Sequence, residues 1–196
     1  MNKRRALAIS LAILSTLALA AFALPGKTNF AAIDRCLASD RAWDYRFDRC
    51  NPLPNGPIDR IIVDKSQRTL ATYRDGQLVR AFRVALGSGG LAPKQKQGDG
   101  RVPEGSYLIT FHNAESGYHR SLRIGYPTEE QRVTARAEDI DPGGDIMVHG
   151  LPNGMGALGS RHTLRDWTEG CIAVTNREMD WLFAAVPDGT RIDIRA

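Results

Sequence analysis

No Cys-x-x-Cys and no His-x-x-x-His pair occurs anywhere in the chain, so the tight ligand pairs typical of structural zinc sites are missing. Asp145, His149, His162 and Cys171 could in principle make a tetrahedral set, but without such a pair no metal is expected. The glycine run Gly87–Gly90 is not followed by Gly-Lys-Ser/Thr, which excludes a phosphate-cradling loop of that kind. No Lys/Arg block interleaved with aromatics appears beyond the first residues, and no nucleic-acid partner is expected. Internal repeats and low-complexity segments are absent too. Cysteine is scarce: Cys36, Cys50 and Cys171 are the three in the chain.

What is present is an ordinary globular composition, 42% apolar and 24% charged over 196 residues. That argues for one domain with a sizeable core and against extended disorder. The formal charge of +4 is misleading, because no acidic residue precedes Asp34 and Lys3, Arg4 and Arg5 supply three of those charges. Those three residues open a charged n-region, and Ala6–Ala23 follows as an apolar run with small-residue sites near Ala20 and Ala23. This reads as an export signal over 1–23. An uncleaved anchor is the alternative, and it would be the chain's one membrane contact. Either way the rest of the chain is expected in the periplasm or cell envelope. In such an oxidising compartment Cys36 and Cys50 are expected to pair, leaving Cys171 as a candidate reactive thiol.

Residues 24–57 read as a small appendage with a short helix over Ala31–Ala42, ending in the Pro/Asn/Gly turn series 51–57. From Ile58 the pattern alternates with period two. Arg60–Asp64, Thr69–Tyr73 and Leu78–Val84 read as strands of an antiparallel meander, with Asp75-Gly76 a strong hairpin signal. A flexible loop is expected from Gly87 to Gly100, then strands at Tyr107–His112 and Ser121–Tyr126, with a short surface helix over Thr128–Ala137. Asn176 reads as the N-cap of a helix over Arg177–Val186, and Thr190–Ile194 as a closing strand.

The chemistry concentrates between Gly144 and Asn176. Ile146–Val148 reads as a buried strand ending at His149-Gly150. Gly170 allows a sharp turn before Cys171, and Ile172–Val174 reads as another short strand. Two such edges side by side would face a thiol and an imidazole across one cleft, and a mostly protonated thiol needs a base to activate it. Backbone N–H groups of Gly170 and Cys171 would supply an oxyanion hole.

His-Gly, a glycine-rich spacer and Thr-x-Gly-Cys (His149-Gly150, then Thr168–Cys171) together resemble the L,D-transpeptidase catalytic domain of the YkuD type, from about Ile58 to the C-terminus. The resemblance implies a mainly β fold over 58–196, a β-sandwich or closed sheet with one late α-helix, preceded by the disulfide-bearing lead. It also implies an enzyme that modifies peptidoglycan stem peptides without a cofactor, with Cys171 as nucleophile and His149 as base. Gly150, Thr168, His162 and Arg165 are expected at the substrate. Two departures stand out: Glu169 replaces a frequent His, and Ala173 replaces a frequent Arg or Asn. Arg165 or Arg161 from the long spacer would then supply the missing cation, and the spacer is expected to fold as a lid. Water as acceptor would make the same site a carboxypeptidase or amidase, and a non-catalytic wall-binding module is the remaining alternative. Oligomeric state is not legible.

Overall fold

A computed structural model describes residues 30–39, 41–44, 48–51 and 56–196. The expected leader over 1–23 lies outside them, as does part of the lead. No described helix is long and apolar enough to cross a membrane.

In the lead, α1 (Phe30–Ala38) is followed by a two-stranded antiparallel ribbon, β1 (Ala42–Asp44) and β2 (Arg49–Asn51). Ile33, Cys36 and Trp43 make a small core of their own, closed by the Cys36–Cys50 disulfide. The helix stops short of Ala42, where the chain turns into β1 instead.

The main body holds β3 (Arg60–Asp64), β4 (Thr69–Arg74), β5 (Gln77–Arg83), β6 (Gly105–Asn113), β7 (Ser121–Ile124), β8 (Met147–His149), β9 (Ile172–Ala173) and β10 (Arg191–Arg195). They form one sheet in the order β5-β4-β3-β10-β6-β7-β8-β9. The alternation that marks these strands is also their burial: in β3, Ile61 and Val63 are fully buried. The β4–β5 hairpin turns through Asp75 (φ 50°) and Gly76 (φ 74°), both left-handed, which matches a primed turn and the twist of the strands.

A two-sheet sandwich does not form. The single sheet curls until its edges meet, and Ala85 exchanges both backbone hydrogen bonds with Ala173 at 3.0 and 2.9 Å. Closure puts Phe82, Leu122, Val148 and Ile172 into one core and removes an open edge at β9. The main body also has more helix than a single late one. α2 (Glu129–Ala137), a 3₁₀ segment (Gly156–Leu164) and α3 (Asn176–Ala185) accompany the sheet.

The N-cap of α3 is Thr175, not Asn176. Thr175 keeps extended backbone angles and exchanges capping-box bonds with Glu178, whereas Asn176 Oδ1 accepts from Leu151 N at 2.8 Å. That bond ties α3 to the segment just after His149.

Candidate active site

Gly170 and Cys171 lead directly into β9, and β9 lies parallel to β8 with Val148 opposite Ile172 and His149 opposite Ala173. Cys171 is two residues before Ala173, so the pleat puts it on the His149 side of the sheet. The approach to Cys171 is a local device. Thr168 Oγ1 donates to the Cys171 carbonyl at 2.7 Å and accepts from Gly170 N at 3.3 Å. The hydroxyl three residues before the cysteine thus holds the turn that leads into it. Thr168 is buried and its hydroxyl is occupied within this turn.

Gly170 has φ +123°, and a Cβ there would lie 2.7 Å from the Arg101 carbonyl oxygen. Only glycine fits. Its N–H, one of the two expected oxyanion donors, is engaged by Thr168. Gly150 is buried, and a Cβ on it would stand 2.9 Å from Asn176 Oδ1. Its smallness serves packing of α3 against β8.

Cys171 is half-buried and is the free cysteine of the described chain. Its Sγ lies 3.5 Å from the Asp145 carbonyl oxygen, with the Met147 N–H on it. Burial pushes the thiol pKa up, and Asp145 and Glu169 add to that. The Met147 N–H and the Lys94 ammonium partly offset it. Among the described residues no hydrogen bond joins Sγ to the His149 ring. Sγ is turned to backbone, in surroundings whose burial disfavours the thiolate.

His149 is 4% exposed, and its Nδ1 lies 2.7 Å from the carbonyl oxygen of Gly150. A carbonyl only accepts, so Nδ1 carries the proton and Nε2 is the bare nitrogen. Burial lowers the ring's pKa, and the Gly150 bond raises it back in part. The ring is clamped by two aromatics: Tyr118 at 4.5 Å between centroids and Trp167 at 5.8 Å. Sequence reasoning missed both. Trp167 stood within the motif region as a signal, whereas Tyr118 had none.

Trp167 is held because its neighbour Asp166 accepts from Arg68 Nε at 3.1 Å and from Leu86 N at 3.0 Å. The segment from Gly87 to Gly100 is not the flexible loop expected. Asp99 accepts from the backbone N–H of Gln95, Lys96 and Arg101, and pairs with the buried Lys94 at 2.9 Å. Burial alone would raise the Asp99 pKa, but these bonds outweigh it and drive it far down. Lys94, expected only as part of that loop, thus sits fixed near the thiol.

His162 comes close enough to His149 for the two rings to interact electrostatically. Burial first, and His149 second, pull its pKa down to about 4. It is 5% exposed and neither ring nitrogen has a protein partner. It lines a groove of about 560 Å³ shared with Arg165, Arg161 and Trp167. His112 and His119 do different work: they pair with Asp188 and Asp180 at 2.7 and 2.8 Å and pin loops. No group of three or more His, Cys, Asp or Glu among the described residues is placed to hold a metal ion.

The curled sheet thus brings Cys171, just before β9, beside His149 at the end of the adjacent parallel β8. The chain belongs to the YkuD family of L,D-transpeptidase catalytic domains, whose model matches residues 58–194. It is 30% identical over 132 residues to "Putative L,D-transpeptidase YafK" of Escherichia coli (strain K12), covering 64% of this chain and 46% of that protein. The matched region thus spans about half the length of that curated relative. It is 29% identical over 143 residues to "Putative L,D-transpeptidase YqjB" of Bacillus subtilis (strain 168), covering 72% of this chain and 73% of that one. The fold is similar to the crystal structure of the helical cell shape determining protein Pgp2 from Campylobacter jejuni. There the TM-score is 0.54 at 18% identity, over 85% of this chain and 56% of that one.

Proposed function

We propose that residues 58–196 form a cysteine acyltransferase that cuts and rejoins L,D amides of peptidoglycan stem peptides in the cell envelope, with 24–57 as an appendage. The observation that carries this reading is the Nδ1 bond of His149 to Gly150, one strand over from Cys171. It leaves Nε2 unprotonated and facing the task of a base.

The sequence of steps needs no cofactor. Cys171 turns from Asp145, and its Sγ proton passes to His149 Nε2. The thiolate adds to the amide carbonyl, and the Cys171 N–H stabilises the oxyanion. Collapse breaks the C–N bond, the leaving amine takes the proton back from Nε2, and a thioester remains. An acceptor amine then gives its proton to Nε2 as it attacks, Sγ leaves as thiolate, and the proton passes from Nε2 back to it. His162 and Arg165 contact the substrate from the groove. Thr168 acts through the turn it holds.

Intact-mass analysis after incubation with a defined tetrapeptide muropeptide tests this. The expected result is an adduct on Cys171, equal to the donor minus its terminal residue, and a cross-linked or exchanged product. A protein that never acquires the adduct overturns the reading. Products formed only with water would replace transfer by hydrolysis at the same site.

A further inference from the structure

The turn between β3 and β4 carries two cations, and each grips a segment that frames Cys171. Lys65 is fully buried, which a lysine tolerates only with partners. Its Nζ donates to Glu104 Oε1 at 2.7 Å and to the Val102 carbonyl at 3.3 Å. Those residues follow Arg101, whose carbonyl oxygen is the atom facing Gly170. Three residues on from Lys65, Arg68 meets Asp166 with Nε at 3.1 Å and Nη2 at 2.9 Å. Asp166 also accepts from Leu86 N, and the Leu86 carbonyl accepts from Trp167 N and Thr168 N at 3.1 Å each. Trp167 then stands edge-on to the His149 ring.

The backbone of the turn points to the side chain as the reason for Arg68. Its φ is 49°, a left-handed value that glycine, asparagine and aspartate adopt at least cost. Among the described residues, every other position with positive φ is glycine, aspartate or histidine. An arginine is kept at such a position where its guanidinium has a task, and here it forks onto a mostly buried carboxylate. An isolated surface pair would fix little, but this carboxylate also holds a backbone N–H of the neighbouring segment. The turn itself is pinned, since the Lys65 carbonyl accepts from Arg68 N and the Arg68 carbonyl from Val84 N. Neither cation lines the groove beside His149, so an effect on the reaction has to pass through the segments they hold.

We propose that Arg68 is a positioning residue for the base: through Asp166 it sets Trp167 against the His149 ring. Without the guanidinium, Asp166 keeps Leu86 N alone and its charge is drawn towards water. Trp167 then leaves the edge of the imidazole, and water reaches a ring that burial had kept neutral. The buried Lys65 anchors the turn that presents Arg68, so the device is rigid at its far end too. This rests on the reading of His149 and Cys171 as base and nucleophile, so the test has one arm that needs no turnover.

The full chain is compared with Arg68→Asn, which suits the left-handed backbone, Arg68→Lys, Asp166→Asn and the double variant Arg68→Asn/Asp166→Asn. In the first arm, the His149 imidazole and Trp167 indole resonances are followed by NMR across pH. Arg68→Asn should move the indole and raise the His149 pKa towards the ordinary 6.5. His162, the titratable group that interacts with this ring, is unchanged throughout. Arg68→Lys keeps the charge without the fork and should recover part of both shifts. In the second arm, Arg68→Asn should lower the limiting rate of acylation at least about tenfold, with little change in the half-saturating donor concentration. Asp166→Asn should do the same, and the double variant should be no worse than either single one, because all three break one link. Should Arg68→Asn fail to fold, the nearly isosteric Asp166→Asn carries the same readouts. A wild-type protein that never forms a thioester would sink the acyl-transfer reading, and the resonances would still decide whether Arg68 sets the ring. A lower melting temperature with indole and imidazole unmoved would make the pair merely structural and overturn the proposal. So would losses that add in the double variant.

Discussion

The imidazole of His149 donates from Nδ1 to the carbonyl oxygen of Gly150 at 2.7 Å, which commits Nε2 to the role of acceptor. His149→Ala should cut the acylation rate at least about a hundredfold. Protonation of the ring would end its service as a base, and burial holds its pKa below the ordinary 6.5. The acid limb of the rate should therefore fall below pH 6.5. His162→Ala should mainly weaken substrate binding. Single-turnover acylation across pH decides between them: a larger loss at saturating substrate in His162→Ala would reverse the roles.

Burial raises the Cys171 pKa and so disfavours a thiolate in the resting site. Alkylation by iodoacetamide at pH 7 should be slower than for a free thiol and should climb only above the ordinary thiol range. Cys171→Ala should fold normally and take up no acyl group, with Cys171→Ser nearly as inert. Fast labelling at neutral pH would mean a preformed ion pair instead.

Gly170 combines left-handed backbone with a carbonyl pressed against its Cα face. Gly170→Ala should cost about 1–3 kcal/mol or more and displace Cys171. Gly154→Ala is the control, with φ +86° but open space around it. It should cost about 1 kcal/mol and leave acylation intact. Thermal melts with acylation rates separate strain from clash.

The Cys36–Cys50 bridge spans a sequence separation of 14. A loop of that size is worth roughly 3 kcal/mol by the chain-entropy argument. Because Ile33, Cys36 and Trp43 form a core apart from the main one, the loss in a Cys36→Ser/Cys50→Ser variant should be local. Hydrogen exchange should speed up in α1 and the ribbon and stay slow in β3 to β10. Thiol titration should find one free thiol before reduction and three after.

Glu178 is fully buried in the α3 capping box, and burial raises its pKa to about 7 from the ordinary 4.5. The folded state thus holds a proton that the unfolded chain releases. Glu178's contribution to stability is complete below pH 4.5 and is lost as pH rises towards 7. Glu178→Gln keeps an acceptor for Thr175 N and has no proton to lose. Urea unfolding should show the variant gaining on the wild type between pH 5 and pH 8. A constant difference would mean Glu178 is ionised in the fold.

Much of the fold was legible because its signals are local. Alternating apolar residues mark β3 to β5, Asp75-Gly76 selects its turn by backbone conformation alone, and α2 and α3 begin at capping residues. His149-Gly150 and Thr168–Cys171 stand out as candidates for the same reason, since the threonine, glycine and cysteine are bonded within a single turn. Even there one capping residue was misplaced, because Asn176 spends its oxygen on Leu151, a partner 25 positions away. What tertiary structure decided depends on such long-range meetings. Closure of the sheet joins Ala85 to Ala173, and no local pattern in either strand encodes that pair. The clamp of Tyr118 and Trp167 on His149, the approach of His162 to the same ring and the locking of Lys94 by Asp99 beside the thiol likewise exist only after folding. A side chain's type is written in the sequence, but its burial, and with it its proton affinity and its partners, is set by residues the chain brings in from elsewhere.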